Sequence, residues 1–223
     1  MKRNKWLWIL AVIPLILTGI VLPCLPEQMP MHYNMAGEID RWGSRYEQLI
    51  FPVLILAFAA FWQCMLHFYE EKIQHLGDSK EGREAESNRK VLFLAAVGTT
   101  LMFSLMHLVF LLGSYNEAKT NATVSSIDIN QIIGVLMGLL LIVTGNYMPK
   151  TRRNPVIGFR TNKTMSSDEN WAKANRFAGI VFIFSGALTI VLSLIFGGIT
   201  AMSLFLALLL IDVVICLIYA SKL

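Results

Sequence analysis

Six apolar runs limit what this chain can fold into. They cover residues 6–22, 49–69, 91–113, 132–147, 177–196 and 199–219. An α-helix rises about 1.5 Å per residue, so a run of about 20 residues crosses a hydrocarbon core about 30 Å thick. The first and fourth runs are short and call for a thin bilayer or little tilt. Helices close their own backbone hydrogen bonds, which lipid demands and isolated strands cannot do. The expected fold is therefore all-α: a polytopic membrane helical bundle with six transmembrane helices. Composition agrees, since 55% of residues are hydrophobic and 15% charged, where a soluble domain carries ~25% charged residues.

Lysine and arginine set the expected orientation. The segments before 6, at 70–90, at 148–176 and after 219 hold 16 of them, whereas 23–48 and 114–131 hold 3. The richer side faces the cytoplasm, which puts both the N- and C-termini in the cytoplasm. The net charge of +4 thus reports topology, and no direct nucleic acid binding is expected. Lys2, Arg3 and Lys5 before the first run also have the outline of a secretory signal. Pro23 precedes Cys24 where a lipoprotein needs a small residue, and five later spans need a first to orient them, so an uncleaved anchor is expected. Cys24, Cys64 and Cys216 are scattered, which favours neither a disulfide framework nor a thiolate metal site.

The stretch 145–179 cannot be explained by the need to be greasy. An apolar run ends at Asn146-Tyr147-Met148-Pro149, and the cations Lys150, Arg152 and Arg153 follow. Ser166 and Glu169 read as a capping box that opens a helix with Trp171, Asn175 and Ala178 on one face. Upstream, Gly158-Phe159-Arg160-Thr161-Asn162-Lys163-Thr164 offers a turn, cations and hydroxyls beside that helix start, parts that suit an anion or a partner's carboxylate. The loop 23–48 is different. Three prolines keep its first part extended, Gly37 and Gly43 permit turns, and Tyr33 and Trp42 suit a membrane interface. Segments 70–90 and 114–131 read as solvated linkers without chemistry. Gly134 and Gly138, and likewise Gly179 and Gly186, have spacings that let helix backbones approach.

Asp212 lies inside the last run, where a carboxylate costs ~2.5–3.5 kcal/mol at mid-membrane. Depth along the chain suggests an intramembrane polar cluster of His67, Asn146 and Asp212 with Arg160 just below. That cluster is either an interhelical lock or the centre of a membrane-embedded enzyme or transporter. His107 is placed on the outer side with His32 and Asp40, yet their spacing gives no local chelate, and no metal or other cofactor is expected. There is no GxSxG, HExxH, P-loop or GxGxxG sequence, so no catalytic residue is assigned and the chain is read as a non-enzyme.

Two motifs resemble those of the SdpI-type immunity and signal-transduction membrane protein family. The inner one runs through Gly145-Asn146-Tyr147-Met148, then Asn154 to Thr164, then Glu169 to Phe177. The outer one is an LP-x-x-x-P-x-H-x-N-x-x-G-x-x-D pattern from Leu25 to Asp40, like the membrane module that commonly precedes it. The resemblance implies an N-terminal two-helix module over 1–75 and a four-helix membrane domain over 76–223. It further implies protection against a secreted peptide toxin of the SdpC kind, and capture of a cytosolic repressor protein of the SdpR kind at the bacterial cytoplasmic membrane. On that reading His32, Asn34, Gly37, Asp40 and Trp42 meet the toxin. Asn154, Gly158, Arg160, Thr161, Thr164, Trp171 and Asn175 serve signalling or a partner, and membrane lipids surround the whole. Asn162-Lys163 stands where family members usually carry Pro-Trp, and Arg45 where a lysine is common, so the partner of that inner loop is expected to differ.

Overall fold

A computed structural model describes residues 4–34 and 36–223. Lys2 and Arg3, which entered the orientation count, lie outside the described residues. The chain order is α1 (Lys5–Val21), β1 (Gln28–Tyr33), β2 (Ile39–Ser44), α2 (Ile50–Leu76), α3 (Lys80–Thr120), α4 (Ile129–Tyr147), α5 (Asp168–Phe196) and α6 (Gly198–Ser221). All six helices are long and apolar enough to cross a membrane, and the apolar side chains on their outer faces, from Ile20 to Leu210 and Ile218, are exposed as lipid-facing residues would be. The chain is a multi-pass membrane helical bundle.

The helices outrun the apolar runs. α3 is 41 residues long and extends past the run 91–113 at both ends. It begins at Ser79, whose hydroxyl accepts the Gly82 amide at 3.0 Å. The segment 70–90, expected as a solvated linker, is therefore almost wholly helical, with only 77–79 between α2 and α3. Its charges pair along the helix surface, as Lys90 with Glu86 at 2.7 Å. Segment 114–131 is likewise partly helix.

The bundle forms two groups. Leu7 and Ala11 of α1, Ile55, Ala59 and Leu66 of α2, and Leu92 and Ala96 of α3 make one buried core. Within it the Ser104 hydroxyl donates to the Leu10 carbonyl at 3.1 Å, and Thr18 Oγ1 bonds His107 Nε2 at 2.7 Å. In the second group α4 and α5 meet through their glycines. A Cβ on Gly138 would lie 2.7 Å from the Gly186 carbonyl, and one on Gly145 would lie 2.5 Å from that of Gly179. Of the two small-residue spacings seen in the sequence, Gly138 thus faces Gly186, whereas Gly179 meets Gly145 and Gly134 meets Ser193, and backbone contact is what the glycine pairs permit.

The all-α expectation needs one addition, an antiparallel hairpin pairing Met29 with Gly43 and Tyr33 with Ile39. Residues 123–125 join it as a further short rung, with the Ile39 amide donating to the Thr123 carbonyl at 2.9 Å and Ser125 to Gly37 at 2.7 Å. Leu25 and Met29 pack on Leu111 of α3. The hairpin marks one face of the bundle. On the opposite face Arg89 bonds both Asn4 and Glu70, and the Tyr219 ring stacks on Phe177 with centroids 4.0 Å apart. Both ends of the described chain therefore lie on this second, basic face.

Candidate functional site

The hairpin face holds a roomy depression, about 1300 Å³ including its open mouth, walled by the hairpin turn, α3, the start of α4 and the α5–α6 turn. His32, Asn34 and Gly37 line it, together with Phe110, Ile127 and Ile199. Asn34 shapes the turn: its Oδ1 accepts the amides of Ala36 at 2.9 Å and Glu38 at 3.0 Å, and its Nδ2 donates to Glu38 Oε2 at 2.7 Å. Asp40 meets the cleft through His32, with Nδ1 and Oδ1 2.6 Å apart. Trp42 pairs with Pro30 in the ladder and stands outside the cleft wall.

Beside the cleft lies a group that sequence reading missed. Glu117 is 1% exposed and is held from every side. The Tyr33 hydroxyl donates to Oε2 at 2.6 Å, while the Ser126 amide and the hydroxyls of Ser125 and Ser126 donate to Oε1 at 2.6, 3.1 and 2.9 Å. Burial, and then the bond to Glu117, raises the Tyr33 phenol well above its ordinary value of 10.0. One carboxylate thus ties the hairpin, α3 and the 121–128 connection together. The available signal was a glutamate at the end of an apolar run followed by two adjacent serines.

The basic face carries the loop 148–167, and its named residues are bonded inward. Asn154 Oδ1 accepts the amides of Val156 and Ile157 at 2.8 and 2.7 Å and the Tyr69 hydroxyl at 3.2 Å, while its Nδ2 donates to the Arg152 and Ile157 carbonyls. Trp171 Nε1 donates to the Thr151 carbonyl at 3.0 Å, and Asn175 Oδ1 accepts the Phe159 amide at 2.7 Å. Gly158 sits between them with φ +110°, and a Cβ there would lie 2.6 Å from Asn175 Oδ1 and 2.8 Å from the Trp171 ring. Thr161 and Thr164 exchange bonds, the Thr161 amide to Thr164 Oγ1 at 2.8 Å and the Thr164 amide to Thr161 Oγ1 at 3.2 Å. Asn154, Thr164, Trp171 and Asn175 are all buried. Of the set named from the sequence, Arg160 is the one turned outward, with Lys163 exposed beside it.

The expected capping box does not form, and the N-cap falls one residue later. Ser167 caps α5 by accepting the Asn170 amide at 3.0 Å. Ser166 is already used in the turn, donating to the Lys163 carbonyl at 2.7 Å. Glu169 pairs with Lys173 at 2.7 Å instead of reaching back to the cap.

The polar residues assigned to one intramembrane cluster have separate surroundings. Asp212 is buried in α6 and accepts the Ser185 hydroxyl from α5 at 2.6 Å; among the described residues its second oxygen has no hydrogen-bond partner. His67 faces outward from α2 beside Glu71, 3.3 Å away, and Asn146 is exposed. His107 is buried between α1 and α3 against the Phe51 ring, so it does not join His32 and Asp40 on the hairpin face. Among the described residues no three His, Cys, Asp or Glu side chains converge as a metal set would.

Residues 150–220, which contain the inward-bonded loop and the last two helices, match the sequence model of the SdpI/YfhL protein family. That part of the chain is similar to the SdpI/YfhL proteins. Residues 9–56, spanning α1 and the hairpin, match a domain of unknown function (DUF1648). Along most of its length the chain is similar to "Immunity protein SdpI" of Bacillus subtilis (strain 168), at 27% identity over 197 residues, which is 88% of this chain and 84% of that protein. No solved structure matches. The matched segment includes the loop that is locked by buried Asn, Thr and Trp side chains.

Proposed function

We propose that this chain is an immunity-type membrane protein. In this reading it gives a cell resistance to a secreted peptide toxin that seats in the cleft on the hairpin face. The observation that carries the reading is the likeness to an immunity protein along 88% of the chain. The cleft has the makeup of a peptide site: apolar walls from Phe110, Ile127 and Ile199, with a few polar groups from His32, Asn34 and Asn130 at fixed positions. The charge asymmetry supports a reading with the hairpin face outside, where a secreted peptide arrives, and the basic face in the cytoplasm.

Signalling to a cytosolic repressor fits the same frame. The loop 148–167 is folded onto α5 and α2, so a rearrangement of those helices would move Arg160 and Lys163 at the surface. A peptide can drive such a change only if it binds the two arrangements unequally. Deleting the gene in its own strain and challenging with the cognate peptide tests the immunity claim. Killing at a lower dose is expected, with resistance restored by the wild-type gene and not by Val124→Trp, which narrows the cleft. Unchanged sensitivity after deletion removes the claim.

A second reading, a transporter or membrane-embedded enzyme, is favoured by the open oxygen of buried Asp212. Asp212→Asn keeps the shape and the Ser185 contact. Loss of resistance in that variant at normal membrane abundance supports this reading, and full resistance dismisses it.

A further inference from the structure

The glycine seam that draws α4 onto α5 leaves a gap on α4's other side. There a crevice runs between α3 and α4, with about 750 Å³ of empty space including its mouth. Val91 and Leu94 of α3, Leu140 and Val143 of α4 and Phe182 of α5 make it almost wholly apolar. Its end nearer the basic face is closed by the loop, through Ile157, Gly158 and Phe159.

The crevice does not stop in hydrocarbon. Val91, Leu94 and Tyr147 also line an adjoining depression that carries Lys90, Lys150 and Ser87. Lys150 Nζ lies 4.1 Å from the Tyr147 ring centroid, so an interfacial tyrosine marks the depth at which the wall changes from apolar to cationic. A long apolar slot at membrane depth, opening onto two lysines at headgroup level, is complementary to an acyl chain that bears an anionic headgroup.

We propose that this crevice is a binding site for one anionic phospholipid, with an acyl chain between α3 and α4 and the headgroup phosphate at Lys90 and Lys150. The bound chain touches Ile157 and Phe159, whose backbones are the ones fixed by Asn154 and Asn175. The lipid thus steadies the loop in its docked form, independently of any peptide on the far face. Lys90 leaves Glu86 to do so, and Lys150 already stands at the mouth.

The test uses the full chain, purified in detergent and offered an equimolar mixture of phosphatidylglycerol and phosphatidylcholine with identical chains, with retained lipid read by native mass spectrometry. One phosphatidylglycerol per chain is expected, in clear excess over phosphatidylcholine. Lys90→Gln with Lys150→Gln should lower its retention roughly tenfold while leaving phosphatidylcholine unchanged. Ala95→Trp and, from the opposite wall, Leu140→Trp fill the slot and should abolish retention; a variant counts only if its circular dichroism and elution volume match the wild type. Equal retention of the two lipids, or phosphatidylglycerol that stays bound in both filled variants, overturns the proposal. So does thermal stabilisation by inorganic phosphate equal to that by phosphatidylglycerol, because the chain would then contribute nothing.

Discussion

At the scale of single residues, the loop 148–167 shows how far a polar sequence can be structural. Gly158 occupies φ +110° with Asn175 and Trp171 against it, a combination only glycine tolerates. Gly158→Ala should therefore destabilise the loop by roughly 1–3 kcal/mol. Trp171→Phe keeps an aromatic face but loses the second ring and leaves the buried Thr151 carbonyl without its donor, the lost hydrogen bond alone costing about 1–3 kcal/mol. Limited proteolysis in detergent measures both: cleavage within 150–167 should speed up in each variant, while an exposed change such as Lys163→Gln leaves it unchanged. Sequence alone singled out these residues as non-accidental but could not say why. Asn, Thr and Trp in a basic loop suit a ligand and suit a backbone lock equally well, and only the direction of each side chain separates the two. The displaced cap at Ser167 has the same origin, since adjacent serines offer equivalent hydroxyls until one is consumed by the turn.

Among elements, the hairpin was the least legible, because prolines at 23, 26 and 30 speak against a strand in ordinary sheets. Here Pro23 and Pro26 precede the strand, and only Pro30 sits in a two-stranded ribbon whose other support is α3 and the rung at 123–125. The glycine spacings in α4 and α5 were legible because close backbone approach leaves a periodic trace, whereas the Glu117 latch leaves a single acid and two serines. That latch makes the hairpin's attachment depend on pH in a stated direction. Tyr33 keeps its proton in the folded protein above the ordinary value of 10.0, while an unfolded or undocked tyrosine releases it there. The stabilisation is thus complete below that value and is lost as pH climbs beyond it toward the folded pKa. Proteolytic release of the hairpin should be flat from neutrality to about pH 9 and accelerate by about pH 11. Tyr33→Phe should release it faster at neutral pH and remove most of the alkaline dependence; the same alkaline acceleration in that variant would mean another group controls docking.

For the molecule as a whole, hydropathy captured all six crossings because lipid selects composition directly. It failed where helices leave the bilayer: charged residues at 70–90 satisfy water and helix equally, so a water-exposed helix looks like a linker. The division into two packed groups was also hidden, since α3 contributes to the first core through small and apolar residues that any lipid-facing helix could carry. Orientation remains the property on which both the proposed peptide site and the proposed lipid site depend, and native cysteines can test it. Cys24 is exposed at the foot of the hairpin, Cys64 lies within the α2 span and Cys216 is buried. With the hairpin outside, a membrane-impermeant maleimide should label intact cells through Cys24, and Cys24→Ser should remove the signal. Lys163→Cys in that background should label only after the membrane is opened. The reverse pattern, Lys163→Cys reactive in intact cells and Cys24 protected, would invert the bundle. The charge asymmetry of 16 against 3 would then face the wrong way, the cleft would open to the cytoplasm, and a secreted peptide could not be its ligand.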